Sequence, residues 1–201
     1  NELLFAEYLP NHWGYYNIAK KLFTHSNYSL VEPLFNPFLA KANVSATDLT
    51  NEASEGSLDV IFLFEAIDRS VTPLELLHNV AKTLKPKGLC FITCLLSSGF
   101  EIQVLRQKSD IFVPPERMNI LSFEGMNALI DKVKGFEVLE FSTPGVLDIP
   151  NVIKQIDQKE NVTFFHYLFK QRDDTELVNS FQNFLQLNRL GTFGRLVLRK
   201  K

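Results

Sequence analysis

Acidic side chains follow three segments of the chain that have the composition of β-strands. Glu32 and Asp48 lie at the ends of short β-prone segments, and Glu65 directly follows the apolar run LDVIFLF. Open α/β sheets bind ligands at the carboxyl ends of their strands, and a carboxylate there can accept charge-assisted hydrogen bonds from a ligand. The alternative for each acid is a solvated loop carboxylate. Glu65 and Asp68 are also the nearest candidates for a general base.

The stretch Ser57–Cys94 predicts the element pair that would position these acids. LDVIFLF is nearly continuously apolar, as in a strand that is buried on both faces. Pro73 fits the first turn of a following helix, and Pro86 ends that helix. A type I turn, with Lys87 at its third position, is predicted to lead into the strand GLCFITC. Such a βαβ unit implies a parallel sheet with a right-handed crossover.

Further strands and helices are predicted on both sides of this unit. The strands are 2–9, 28–32, 43–49, 136–141 (alternating, with one solvated face) and 194–200. The helices are 15–23, 100–107 and 123–134, the last beginning after Ser122 and ending at Gly135. Residues 148–189 are predicted to form three helical segments with breaks near Gln158 and Asp173. The predicted fold is an α/β three-layer sandwich with a mostly parallel, Rossmann-like seven-stranded sheet that ends in an antiparallel hairpin. Residues 1–201 would form a single domain with a helical insert at about 146–190.

Composition narrows the possible functions. The chain has 201 residues and a formal net charge of -2, so no overall attraction to nucleic acid or to an anionic membrane is expected. No apolar run reaches the roughly 18 residues of a membrane span. Cys90 and Cys94 are four residues apart on one strand, about 13 Å at ~3.3 Å per residue, which is too far for a disulfide. Buried free thiols and a cytoplasmic location are expected. The four histidines form no pair or triad that predicts a metal site.

Several segments resemble class I S-adenosylmethionine-dependent methyltransferases. SLDVIFLF through LKPKGLCFIT is similar to the fourth strand of that family, the following helix and the LKPGG turn into the next strand. SLVEP resembles the second strand and Thr47-Asp48-Leu49 the end of the third. PPER followed by SF resembles the PPEH…FS segment of a subgroup often found with sugar or cell-envelope gene products. FEVLEF and GRLVLRK resemble the terminal antiparallel hairpin.

The resemblance implies a cofactor site at the carboxyl edge of the sheet. Glu32 would bind the ribose hydroxyls of S-adenosylmethionine, Asp48 would bind the adenine amine, and Glu7 would end the first strand. The implied cofactor-binding residues are Glu7, Asn11, Gly14, Glu32, Asp48, Leu49, Phe64 and Glu65. For Phe64, a core position is the stronger alternative. The implied function is methyl transfer to a small molecule, with a sugar or cell-envelope precursor as one such acceptor and with a homodimer left open.

The chain departs from the family pattern where the cofactor's methionine part would bind. The three glycine positions that follow Glu7 in the family are Leu9, Asn11 and Trp13 here, with Gly14 as a shifted remnant. A non-catalytic relative that has lost cofactor binding is therefore the alternative function. A nicotinamide-dependent oxidoreductase is third, since the first strand–helix turn carries no G-x-G-x-x-G.

Further departures concern single residues and the start of the chain. Arg69 and Arg117 replace two histidines of the family pattern. Arg117 is predicted to form a surface ion pair with Glu116, and the alternative is that it holds an anionic substrate. The usual N-terminal helical extension is missing, so the chain is expected to be part of a longer protein.

Overall fold

A five-stranded mixed sheet organises the computed structural model, which describes residues 28–30, 54–156 and 163–201. The strands are β1 (Tyr28–Leu30), β2 (Leu58–Phe64), β3 (Leu84–Leu95), β4 (Phe136–Ser142) and β5 (Phe193–Lys200). Their order in the sheet is β1-β2-β3-β5-β4. β2 pairs in parallel with β1 and β3, whereas β5 pairs antiparallel with β3 and β4. The parallel unit and the closing antiparallel hairpin are therefore confirmed. The predicted strands 2–9 and 43–49 and the helix 15–23 lie outside the described residues.

The helices follow the predicted order along the chain. They are α1 (Ala66–Arg69), α2 (Pro73–Thr83), α3 (Phe100–Leu105), α4 (Phe123–Val133), α5 (Asp148–Gln155), α6 (Thr163–His166) and α7 (Thr175–Leu187). A 3₁₀ turn at Arg106–Lys108 follows α3, and a π-helical segment at Tyr167–Gln171 follows α6. None of the helices in the described ranges is long and apolar enough to cross a membrane.

The place of β1 in the sheet differs from the prediction. In the doubly wound order 3-2-1-4, the second strand is separated from the fourth by the first. Residues 28–32 were assigned as the second strand and LDVIFLF as the fourth, yet Tyr28–Leu30 pairs directly with Val60–Phe62 of β2. The order of strands along the chain does not determine which strands pair. A short segment can pair with any strand that has a free edge and runs in the same direction. The segment therefore takes the position of a first strand.

The two faces of the sheet have different cores. Leu77 and Val80 of α2 and Met126 of α4 pack with Ile61 and Leu63 of β2 on one face, and all five are fully buried. Phe62 of β2 points to the opposite face, because side chains alternate along a strand. Its ring lies 5.4 Å from Phe64 and 5.4 Å from Phe91. The described residues thus place α2 and α4 over one face and an aromatic cluster on the other.

Both cysteines are buried and free. They lie in β3 within the core shared with α2 and α4. Burial raises the pKa of both thiols well above the usual range, and for Cys94 the nearby Asp68 and Glu65 add to this effect. The prediction of buried, unpaired thiols is confirmed.

The helical insert has an apolar core of its own. Ile149 and Val152 of α5, Phe169 of the π-helical segment and Leu185 of α7 pack against Leu105 of α3. Asp173 has a left-handed φ of 47° and separates the π-helical segment from α7, near the predicted break. The insert therefore packs on α3 instead of extending away from the fold. The second predicted break, near Gln158, lies outside the described residues.

The end of α4 and the alternation along β4 differ from the predictions. α4 begins as predicted, with the Ser122 hydroxyl accepting from the Gly125 N–H, but the left-handed residue at its end is Lys134 and not Gly135. A Cβ at Gly135 would lie 3.2 Å from that of Ala81, so this glycine allows α2 to approach. In β4 the register shifts between Val138 and Glu140. The extra residue of this bulge breaks the predicted alternation, because a bulge moves later side chains to the other face.

The chain turns at Pro86 and Lys87, inside the first part of β3, and this is not the predicted type I turn. Lys87 has a φ of 65°, whereas both central residues of a type I turn have negative φ. Positive φ at the third position is typical of a type II turn, which favours glycine there. The neighbouring Gly88 has no room for a side chain, since a Cβ would lie 2.9 Å from the Lys85 carbonyl oxygen.

We expect Lys87→Gly to stabilise the protein. Glycine avoids the left-handed strain of a side-chain residue but loses some backbone entropy on folding, so the free energy of unfolding should rise by about 0.5–1 kcal/mol. Urea unfolding measures this change. Gly88→Ala is the matched control and should lower the stability. A Lys87→Gly protein that is no more stable than the wild type would contradict the turn assignment.

Candidate functional site

The carboxyl ends of β1, β2 and β3 meet at one edge of the sheet. The three strands are mutually parallel, and open α/β sheets bind ligands at this edge. Glu65 follows β2, and the loop from Leu96 to Gly99 follows β3. The edge therefore brings together the end of the βαβ unit and the loop that leads into α3.

Glu65 is held at the edge by its backbone. It has a left-handed conformation, with φ 53° and ψ 17°, and it precedes α1. Its N–H donates to the carbonyl oxygen of Thr93 at 2.8 Å, so it is tied to the neighbouring strand β3. Left-handed residues other than glycine are uncommon and often occur at functional sites.

Two arginines bind the same oxygen of Glu65. Arg69 Nη2 lies 3.1 Å and Arg117 Nη2 lies 2.7 Å from Glu65 Oε2. The three side chains are only 13–16% exposed. Arg69 Nη1 also lies 3.2 Å from Oε1 of Glu116, whose side chain is about half exposed. We call this cluster of Glu65, Arg69, Glu116 and Arg117 the Glu65 lock.

The Glu65 lock corrects the sequence interpretation of Arg117. A surface ion pair with Glu116 was predicted, but Arg117 binds the partly buried Glu65, and Glu116 binds Arg69. Proximity in sequence suggested the wrong partner, because the segment after Pro115 returns to the sheet edge. The only available sequence signal was that Arg69 and Arg117 replace two histidines of the same family pattern.

Asp68 links the segment that carries Arg117 to β3 through buried hydrogen bonds. Its side chain is fully buried, and its Oδ2 accepts from the Leu95 N–H at 2.9 Å. Its backbone carbonyl oxygen accepts from the N–H groups of Met118 and Asn119 at 2.8 and 3.0 Å. Burial raises the pKa of Asp68 well above its usual range, and Glu65 adds to the increase despite the hydrogen bond from Leu95 and the two arginines.

Asp68 is therefore not the general base that its position in the sequence suggested. Its carboxyl group is fully buried, so it cannot come within hydrogen-bond distance of a substrate at the edge. Its Oδ1 has no hydrogen-bond partner among the described residues. Its contacts give it a structural role at the junction of α1, β3 and the segment that carries Arg117.

An open cleft lies beside the end of β3. Its volume is about 730 Å³, which is within the range of small-molecule sites. The lining residues are Ser97, Ser98, Ile102, Gln103, Arg106, Gln107, Phe112, Pro114 and Ser122. Most of these residues carry hydrogen-bonding side chains. No sequence pattern indicated that they form one site.

The structure describes two of the eight predicted cofactor-binding residues. Phe64 is 1% exposed and packs on Phe62, so its ring is not available at the edge. Glu65 lies at the edge, and its Oε2 is occupied by the two arginines, which leaves Oε1 for a ligand. The other six, Glu7, Asn11, Gly14, Glu32, Asp48 and Leu49, lie outside the described residues and stay predictions. In the described part of the chain, no group of three or more His, Cys, Asp or Glu could hold a metal ion.

Comparison with known proteins identifies the fold. No family model and no curated sequence matches the chain. A SAM-dependent methyltransferase from Archaeoglobus fulgidus matches it in structure with a TM-score of 0.55 and 12% identity, over 100% of both chains. The chain has the α/β fold of class I S-adenosylmethionine-dependent methyltransferases.

Two other solved structures have a similar degree of likeness. A chain in the complex of the Trm112 methyltransferase activator with a candidate methyltransferase, from Haloferax volcanii, has a TM-score of 0.51 and 17% identity over 86% of this chain and 70% of that one. A protein assigned as a sarcosine dimethylglycine methyltransferase, from Galdieria sulphuraria, has a TM-score of 0.50 and 18% identity. The match covers 94% of this chain and 75% of that one. Other matched structures have longer chains. This chain covers 66% of the length of one of them and 39% of the length of another.

We expect Asp68→Asn to change the pH dependence of stability. The unfolded chain loses the Asp68 proton near pH 4, whereas the folded protein keeps it to higher pH. Between these values the folded state binds more protons, so the wild type loses stability as pH rises, and the variant lacks this loss. As pH rises through this range, the free energy of unfolding of the variant should increase relative to that of the wild type by up to roughly 1.4 kcal/mol per pH unit.

Urea unfolding of both proteins at several values between about pH 4.5 and 7.5 measures this difference. Asparagine keeps an oxygen that can accept from the Leu95 N–H, so any remaining cost should be independent of pH. Parallel stability curves for the two proteins would contradict the assignment of a raised pKa.

We expect Arg117→Gln to destabilise the protein by about 1–3 kcal/mol, because it removes a charge-assisted bond from a largely buried carboxylate. Arg199→Gln is the matched control. Arg199 pairs with Glu137 at 2.6 Å, but both side chains are more than 40% exposed, so its loss should cost less than about 1 kcal/mol. Equal losses in the two variants, measured by urea unfolding, would show that the Glu65 lock is no stronger than a surface pair.

Proposed function

We propose that this protein transfers a methyl group from S-adenosylmethionine to a small molecule. The observation that carries the proposal is the fold itself, in which three parallel strands end at one edge beside a cleft of small-molecule size. The matched proteins with this fold include SAM-dependent methyltransferases. A sugar or cell-envelope precursor is one acceptor that the PPER segment favours by resemblance.

The proposed cofactor site lies at the carboxyl edge. By the resemblance, Glu32 would bind the ribose hydroxyls, and Asp48 with Leu49 would bind the adenine. Because residues 28–30 pair directly with β2, Glu32 would bind the ribose from the strand next to β2. Glu7, Asn11 and Gly14 would surround the methionine part. Since β1 ends at Leu30 and runs parallel to β2, residues that follow it closely are directed to the edge where Glu65 lies. At this edge, Glu65 Oε1 would accept a hydrogen bond from the cofactor or the substrate.

The chain's own residues would contribute mainly by positioning. When bound, S-adenosylmethionine supplies an electrophilic methyl group, so the protein needs to align the acceptor more than to move protons. The Glu65 lock fixes one wall of the edge, and the loop Leu96–Gly99 with α3 forms the cleft beside it. The insert at 146–190 would close the cleft or form the surface of a homodimer.

The proposed architecture extends beyond the described residues. We infer a three-layer, Rossmann-like sandwich with seven strands, in which 2–9 and 43–49 are the two remaining strands, and a single domain over residues 1–201. The free, buried thiols of Cys90 and Cys94 favour a reducing compartment and hence the cytoplasm.

A non-catalytic protein with this fold is the second candidate function. Leu9, Asn11 and Trp13 occupy the positions at which the family pattern has glycines, and side chains there would occupy space that the cofactor needs. The Glu65 lock is compatible with this reading as well, because one oxygen of the edge carboxylate is already bound within the protein.

Calorimetry with S-adenosylmethionine and S-adenosylhomocysteine separates the two candidates. Binding of both is expected if the enzyme function is correct. Absence of binding at millimolar cofactor would reject that function for this chain and favour the non-catalytic protein.

We expect Glu32→Ala to weaken cofactor binding by roughly 1.5–3 kcal/mol, because it removes charge-assisted hydrogen bonds to the ribose. Glu124→Ala is a suitable control, since Glu124 is an exposed acid in the first turn of α4, and its affinity should be unchanged. The same affinity in the Glu32 variant as in the wild type would refute the ribose role.

A further inference from the structure

The cleft beside β3 presents serine hydroxyl hydrogens that donate to no other residue in the described part of the chain. Ser98 Oγ accepts from the Phe123 N–H at 3.0 Å, and Ser122 Oγ accepts from the Gly125 N–H at 3.0 Å. Each hydroxyl oxygen thus already has a backbone donor. Its own hydrogen is left for another partner, because a serine hydroxyl both accepts and donates. The two serines therefore act as donors toward the cleft.

Positive charge is present at the same cleft. Arg106 is the only ionisable side chain among the nine lining residues, and it is exposed. Among the described residues, its guanidinium has no ion pair or hydrogen bond. A guanidinium carries five N–H donors in a planar arrangement that suits carboxylate and phosphate oxygens.

A helix of eleven residues also begins at the cleft. Ser122, which lines it, is the N-terminal capping residue of α4. The N-terminal end of a helix carries partial positive charge, which favours anions. The helix end, the two serine hydroxyls and Arg106 favour the same kind of ligand, one that is negatively charged and accepts hydrogen bonds.

We propose that this cleft binds the phosphate or carboxylate group of an anionic small molecule, with Arg106 as its charged partner and Ser98 and Ser122 as donors. This inference deepens the proposed function, because it makes the anionic molecule the methyl acceptor. Phe112 and Pro114 supply apolar surface for the rest of the ligand. The volume of about 730 Å³ has room for a molecule larger than a free phosphate ion.

A titration followed by amide NMR tests the proposal directly. The probes are inorganic phosphate, glycerol 3-phosphate and glucose 6-phosphate, with glycerol and glucose as matched neutral molecules. The phosphate-bearing probes should shift the amide signals of Ser97, Ser98 and Ser122, and the neutral molecules should not. Failure of all three anions at about 20 mM to shift these signals, or equal shifts with the neutral partners, would overturn the proposal.

Variants show whether Arg106 is the partner. Arg106→Gln should weaken the binding of the best phosphate probe at least about tenfold, since a charge-assisted bond is lost. Lys108→Gln is the matched control, because it removes the same charge from the same 3₁₀ turn, at a residue that does not line the cleft. Equal effects of the two variants would reject a specific role for Arg106.

The probes are used without cofactor, so the two proposals fail separately. Cofactor binding without anion binding would overturn the anionic acceptor and leave the methyltransferase function. Anion binding without cofactor binding would support the cleft as an anion site and reject its place in methyl transfer. Binding of the anions should also weaken as salt is added, because the ligand is held by charge at an exposed site.

Discussion

The carboxylate of Glu65, shared by two arginines, is the interaction on which the edge of the sheet depends. It follows the last residue of β2, and Arg69 comes from the short helix after it, whereas Arg117 comes from a segment far along the chain. Charges that are this little exposed are costly to bury, and each is tolerated because the others compensate it. The lock therefore fixes the path of residues 111–121 over the edge, where a ligand of this fold would bind.

The same segment connects the lock to the cleft. Phe112 and Pro114 line the cleft, while the N–H groups of Met118 and Asn119 donate to the backbone of Asp68. Asp68 in turn accepts from the Leu95 N–H at the end of β3. The shape of one wall of the cleft is therefore coupled to the ion pairs at the edge. This coupling gives the two arginines, which stand where the family pattern has histidines, a structural role.

Local patterns in the sequence predicted the elements, but not the contacts between distant segments. The apolar run before Glu65, Pro73 at the start of α2 and the Ser122 cap each depend on neighbouring residues, and all were found where predicted. The Glu65–Arg117 pair joins residues 52 positions apart, so its partners follow only from the folded path. Lys134, in place of the predicted Gly135, shows the same limit on a smaller scale, since packing of α2 against Gly135 decided which residue took the left-handed conformation.

A crystal structure of this protein with S-adenosylhomocysteine is the most direct test of the central claim, that the carboxyl edge of the parallel strands is a cofactor site. The ligand is expected at the ends of β1 and β2, with Glu65 within contact distance and the Glu65 lock intact. Cofactor bound away from this edge, or crystals that remain free of ligand at saturating concentration, would contradict the claim.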